Sequence, residues 1–178
     1  MAVPSKEIQE RARLIKLIIM DCDGVMTDGR IILLPGGDEI KFFDVKDGHG
    51  IRMAVRAGLI TGIITGRKSE VLRARARDLG VSHLYEHTHI KIQPYDEILV
   101  KEGLTDQEAC YIGDDVTDIP LLRRVGLAIA VTDAVEEVKQ FSHYITSHPG
   151  GRGAIREVIE LILKSQGKWD DALERYIK

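Results

Sequence analysis

Cysteine and the large aromatics are scarce in this chain: its 178 residues include 2 Cys, 1 Trp, 3 Phe and 5 Tyr. Two cysteines make no disulfide framework, and Cys22, inside an acidic pair, and Cys110, within an apolar run, read as buried thiols. No apolar run approaches the roughly 20 residues that span a bilayer. The opening stretch MAVPSKEIQERAR also lacks the apolar core of a secretion signal, so a cytoplasmic location is expected, with no membrane partner. Strong charge of one sign is missing too. With 25 Lys and Arg against 28 Asp and Glu, the net charge of -3 excludes global attraction to nucleic acid or anionic lipid. An anionic ligand must then be captured by local positive charge. What is present, 44% hydrophobic and 30% charged residues, is ordinary for one domain with a real core, and a single domain over 1–178 is expected.

The chemistry concentrates between Leu14 and Gly29, LIKLIIMDCDGVMTDG. A short apolar run from Leu17 to Met20, closed by acids and glycines, predicts a buried strand. Side chains two apart on an extended chain point the same way, so Asp21 and Asp23 can converge at the strand's carboxyl end. Two acids aimed at one point repel each other unless a positive group sits beside them. An oxygen-only donor set suits a hard cation such as magnesium.

Three later stretches carry further polar residues at the ends of apolar runs: Thr65 in IITGR, Lys91 ahead of IQPYDEIL, and GDDVTD from Gly113 to Asp118. With Asp-x-Asp-Gly-Val-x-Thr-Asp-Gly at the first strand, these four in order resemble the motifs of the haloacid dehalogenase-like (HAD) phosphohydrolases. The likeness is closest to the capless branch that includes the 3-deoxy-D-manno-octulosonate (KDO) 8-phosphate phosphatases, through VKDGHGI, AGL, TGR, VGLAIAV and PGGRGAIRE. It extends from about Leu14 to about Leu163.

The alternation of apolar strands with helical spacing predicts an α/β fold, a parallel Rossmann-like sheet flanked by helices. Strands are expected near 17–20, 60–64, 83–85, 109–112, 127–131 and 144–146, and helices near 69–79, 90–101, 119–125, 134–141 and 154–163. RIILLPGGDEIKFF, residues 30–43, reads as an inserted β-hairpin around Pro35-Gly36-Gly37, standing where a cap domain would otherwise lie. Both its faces are apolar, so it is expected to pack on another subunit. DVKDGHG, residues 44–50, reads as a loop feeding a helix that ends at Gly58. Arg73, Arg75 and Arg77 read as solvated surface. In the C-terminal tail, 149–178, Trp169, Ala172, Leu173, Tyr176 and Ile177 form one helical stripe that calls for a covering surface.

The resemblance implies a magnesium-dependent phosphatase. In it Asp21 is the nucleophile that forms an aspartyl-phosphate, and Asp23 the general acid and then base. Thr65 offers a hydroxyl and its backbone N–H to phosphate, and Lys91 neutralises charge. Mg2+ is expected on Asp21, the backbone carbonyl of Asp23 and Asp114. Asp115 is expected to add a carboxylate through water, with Asp118 open between that and capping the following helix. Lys46, Asp47, Gly48, Arg67 and Arg152 are the implied substrate-binding residues, the three cations pairing with a substrate carboxylate. The substrate class is a 2-keto-3-deoxy sugar acid phosphate, KDO 8-phosphate ahead of a nine-carbon nonulosonate 9-phosphate. The rival of another class is a non-catalytic assembly module, against which intact acids at the motif positions argue. His87 and His89 lack a Cys or acid partner at ligand spacing and read as surface histidines. A homotetramer is expected, with the hairpins closing together and the glycine run before Arg152 approaching a neighbour's site.

Overall fold

The computed structural model describes residues 4–177. Six parallel strands form the central sheet: β1 (Leu17–Met20), β4 (Ile60–Ile64), β5 (His83–Tyr85), β6 (Ala109–Gly113), β7 (Leu127–Ala130) and β8 (Tyr144–Ile145), in the order β5-β4-β1-β6-β7-β8. The strand order reverses about β1. The chain steps outward through β4 to β5, then returns to the other side of β1 for β6, β7 and β8, which leaves a crevice at the carboxyl ends of the middle strands. Met20 pairs in register with Ile63 and Ile112, so the residues that follow these strands emerge at one edge. β1, β6 and β7 are wholly buried, as apolar strands covered on both faces must be.

Helix α7 (Ala154–Ser165) packs against both α1 (Lys6–Leu14) and α2 (Val45–Arg56), while α3 (Glu70–Leu79), α4 (Ile92–Glu102), α5 (Ile119–Leu122) and α6 (Glu136–Lys139) follow their strands. The stretch expected as a polar loop is instead the start of α2. Asp44 caps it, its Oδ1 accepting from the N–H groups of Lys46 at 2.6 Å and Asp47 at 3.1 Å. Helical glycine is tolerated there because neighbours occupy the space. A Cβ on Gly48 would lie 2.1 Å from Arg75 Nη2, and one on Gly50 3.1 Å from Arg156 Cδ.

α7 is part of the core rather than of a tail, burying Ile155, Val158, Ile159 and Ile162. The stripe of α8 (Trp169–Ile177) is covered in part by the chain's own core, against which Trp169, Ala172 and Leu173 pack. Trp169 lies beneath the Arg156 and Lys164 cations, at 5.4 and 4.9 Å. The predicted hairpin forms from β2 (Ile32–Leu33) and β3 (Glu39–Ile40), in antiparallel register. Of the three arginines read as surface, Arg73 bonds Glu86 and Glu70, and Arg75 covers Phe43. No helix among the described residues is long and apolar enough to cross a membrane.

Candidate active site

β1 delivers Asp21, which is buried and takes its own N–H bond from the neighbouring strand, donating to Ile112 O at 3.1 Å. β6 delivers Asp114 beyond Gly113, and the short 3-10 turn Val116–Asp118 folds Asp118 back beneath it. One carboxylate oxygen from each of Asp21, Asp114 and Asp118 lies within 4.8 Å of the others. Lys91, immediately ahead of α4 and buried, reaches into this group. Its ammonium stands 2.9 Å from Asp21 Oδ1, 2.6 Å from Asp118 Oδ1 and 3.2 Å from the Tyr111 hydroxyl.

Asp118 caps neither the following helix nor solvent. Its Oδ1 accepts from Lys91 and, at 2.6 Å, from Tyr111; its Oδ2 accepts from the N–H groups of Asp114 at 2.9 Å and Asp115 at 3.3 Å. It organises the loop from the inside. Asp115, expected as the additional carboxylate, is exposed and turned to its own backbone, accepting from Val116 N–H at 2.7 Å, so the convergent set holds Asp118 in its place.

Three carboxylates share one ammonium, and the electrostatics report the imbalance. Burial pushes Asp21 up to about 6, with Lys91 opposing the rise and Asp118 adding to it. Asp114 is pushed up to about 8 by burial and by the charges of Asp21 and Asp118. Burial works against the charge of Lys91, but Asp21 and Asp118 more than offset it and hold its pKa above the usual lysine value. A site with surplus buried negative charge fits a hard divalent cation. Among the described residues Asp114 Oδ1 is buried without a hydrogen-bond partner. Gly24, at φ +99°, leaves room beside it, since a Cβ there would sit 2.0 Å from Asp114 Oδ2.

Beside the acids lies a cavity of about 170 Å³, lined by Asp21, Asp23, Thr65, Arg67, His89 and Lys91 among others. A larger one of about 440 Å³, between α2 and α8, holds none of the motif residues. Thr65 is buried at the end of β4, but its N–H already donates to Tyr85 O at 2.9 Å, leaving the hydroxyl and not the backbone for a ligand. Asp23 contacts Lys41 through Oδ1 and lies 3.4 Å, through Oδ2, from Arg67 Nε. Arg67 also reaches Glu39 Oε2 at 3.0 Å. His89, expected at the surface, is exposed yet lines the cavity; its ring stands 5.4 Å from that of His87.

The other residues expected to bind substrate lie differently. Asp47 is buried and spends its carboxylate on the start of α7, accepting from Gly153 N–H at 3.0 Å and Arg156 N–H at 2.7 Å. It is a cap across the fold, required because Gly153 has no side chain to cap its own helix. Gly48 serves the packing of Arg75. Lys46 is exposed on the first turn of α2. Arg152 is exposed, 3.8 Å from Asp28. The glycines before it close on this chain's own first motif: Gly151 N–H donates to Val25 O at 2.8 Å, and a Cβ on Gly150 would fall 1.7 Å from Gly24 O.

Sequence reasoning missed Glu39, Lys41 and Tyr111. The first two carried a signal, since in EIKF the charges alternate with Ile40 and Phe42 at the period of a strand, which puts both on one face. Tyr111 carried none, because an aromatic in an apolar strand reads as core.

A reversed-order parallel sheet with convergent acids and a buried lysine at its carboxyl edge defines a phosphohydrolase built on a Rossmann-like sheet. The chain belongs to the haloacid dehalogenase-like hydrolases. The model of that family, described as haloacid dehalogenase-like hydrolase, matches residues 79–159. The chain is 40% identical over 168 residues to the 3-deoxy-D-manno-octulosonate 8-phosphate phosphatase KdsC of Escherichia coli strain K12, covering 94% of this chain and 89% of that protein. Among solved structures, the 3-deoxy-D-manno-octulosonate 8-phosphate phosphatase of Yersinia pestis superposes with a TM-score of 0.91 at 42% identity, over 93% of this chain and 89% of that one. The corresponding phosphatase of Moraxella catarrhalis, solved in complex with magnesium ion, phosphate ion and KDO, superposes with a TM-score of 0.93 at 40% identity, over 96% and 98%.

Proposed function

We propose that this protein is a magnesium-dependent phosphatase that hydrolyses a 2-keto-3-deoxy sugar acid phosphate, KDO 8-phosphate, to the free sugar acid and phosphate. The observation that carries the reading is the buried Lys91, shared between Asp21 and Asp118 at the edge of a cavity that also presents Asp23 and Thr65. The likeness to the KdsC phosphatases and to the structure solved with KDO supports the choice of substrate.

Asp21 and Asp114 would hold the cation, with Asp118 keeping both in place, and the cation would draw charge from the phosphoryl oxygens. An oxygen of Asp21 attacks phosphorus while the bond from phosphorus to the sugar oxygen breaks. The leaving oxygen takes a proton from the Asp23 carboxyl, and an aspartyl-phosphate remains on Asp21. Asp23, now ionised, takes a proton from water as that water attacks phosphorus, the bond to Asp21 breaks, and phosphate leaves. Lys91 offsets the charge that gathers on Asp21 and the phosphoryl group, and the Thr65 hydroxyl donates to a phosphoryl oxygen. The half exposure of Arg67 at the cavity rim, beside Asp23 and Glu39, supports a role for it in meeting the carboxylate that marks a sugar acid.

The small cavity leaves the sugar largely outside it, which supports an assembly in which other copies of this chain add walls. The hairpin's exposed Ile31, Leu33, Leu34 and Phe42 favour a homotetramer formed through these hairpins. A panel of sugar acid phosphates tests the substrate: the highest kcat/KM is expected for KDO 8-phosphate, and higher values on nine-carbon 9-phosphates would overturn the choice. A monomeric mass by light scattering at micromolar concentration, with full activity, would remove the tetramer.

A further inference from the structure

The hairpin is built inside out. Its apolar side chains face solvent, Leu33 at 65% and Phe42 at 67% exposure, while the side chain of Lys41 is only 2% exposed and that of Glu39 is also turned inward. A buried ammonium is costly unless paired, and here the pairing is specific. Lys41 contacts Asp23 Oδ1 and stands 3.7 Å from Glu39 Oε1; Arg67 approaches Asp23 Oδ2 and Glu39 Oε2 from the other side. Two cations and two anions thus close a ring that joins β3 to the loops after β1 and β4. The ring holds the two oxygens of Asp23 unequally: Lys41 hydrogen-bonds Oδ1, whereas Arg67 stands 3.4 Å from Oδ2 as an ion pair without a hydrogen bond. Among the described residues Oδ2 is buried with no hydrogen-bond partner, and Asp23 lines the cavity.

We infer that Lys41 is a positioning residue: by holding Oδ1, the hairpin's buried ammonium fixes the Asp23 carboxyl in the one rotation that presents Oδ2 to the oxygen exchanging a proton. This rests on the reading of Asp23 as acid and base given above. The inserted hairpin then has a catalytic duty in its own subunit beside any part in assembly. Lys41 touches neither phosphate nor leaving group, so its loss should act on proton transfer and spare substrate binding.

Leaving groups separate this from a merely structural role. A sugar alkoxide needs a proton as it departs, whereas p-nitrophenolate departs without one. Lys41→Met keeps the length of the stem and removes the ammonium. In single-turnover experiments it should slow the release of sugar from KDO 8-phosphate about 10- to 100-fold, part of the 10²- to 10⁴-fold that a placed acid supplies, with KM within about threefold. The burst of p-nitrophenolate from p-nitrophenyl phosphate should fall far less. Lys41→Arg, which restores the cation, should recover most of the loss, and in an Asp23→Asn background Lys41→Met should cost nothing more. Equal losses on both substrates, or a rise in KM alone, would overturn the inference. Should Lys41→Met not fold, the same comparison on Lys41→Gln decides, since a side chain that keeps polarity but loses the ammonium must still discriminate between the two leaving groups. If Asp23→Asn itself fails to discriminate, the acid–base reading of Asp23 falls. If it discriminates and the Lys41 variants do not, only the role of Lys41 falls.

Discussion

Gly24 and Asp114 stand so close that a Cβ on Gly24 would lie 2.0 Å from Asp114 Oδ2, and the glycine's φ of +99° is one that L side chains rarely adopt. The loop after β1 thereby fixes where the carboxylate from β6 can stand. Gly24→Ala should force Asp114 aside. We expect magnesium affinity, measured by isothermal calorimetry, to fall at least tenfold and turnover with it; unchanged affinity would show that Asp114 has another place to go.

Asp21→Asn replaces the attacking oxygen with an amide and retains the shape of the side chain. Turnover of p-nitrophenyl phosphate should drop by at least about 10³-fold, in line with the loss of a nucleophile that acts as a unit with its partners. Far-UV circular dichroism should be unchanged. A variant hydrolysing at near wild-type rates would sink the assignment of Asp21.

Asp21 and Asp114 both have carboxyls pushed up in the folded protein, to about 6 and about 8. A raised acid contributes stability that is present below its unfolded pKa, near 4, and lost as pH rises through its folded value. The metal-free protein should therefore melt at progressively lower temperature from about pH 5 to pH 8. Magnesium binds the ionised carboxylates, so its stabilising effect should grow over the same interval. Thermal scans in chelator and in excess Mg2+ would check this, and pH-independent curves in chelator would refute it.

Removing the cation from the cluster leaves buried acids facing each other. Lys91→Met should destabilise the protein by about 3–5 kcal/mol, the cost of breaking a buried pair from one side. It should also abolish turnover. Chemical denaturation measures the first; a stability change below about 1 kcal/mol would mean that the acids relax by protonation alone.

Asp47→Ala separates the cap from the substrate contact. Losing two buried bonds to the start of α7 should cost about 2 kcal/mol and lower Tm by about 4–8 °C, with KM unchanged. A large rise in KM with little change in Tm would return Asp47 to the substrate site.

The sequence by itself determined the sheet and its catalytic edge, because both rest on local pattern. Apolar runs such as Leu17–Met20 and Ala109–Gly113 admit few alternatives to a buried parallel strand, and Asp21, Thr65 and Asp114 follow their strands directly, so register alone brings them to one edge. Lys91 was legible by its place in the order of motifs. What only the tertiary structure decided is where a side chain's valence is spent. Asp118 and Asp115 stand three residues apart on the same turn, yet one is buried under four hydrogen bonds and the other caps Val116 in solvent. Asp47 and Gly153 are far apart in the chain and meet only because α2 packs on α7, and Lys41 reaches Asp23 only because the hairpin folds inward by its charged face. Strand period and helix spacing are written in neighbouring residues, whereas the partner of a buried charge is chosen by whichever distant group the packing sets against it.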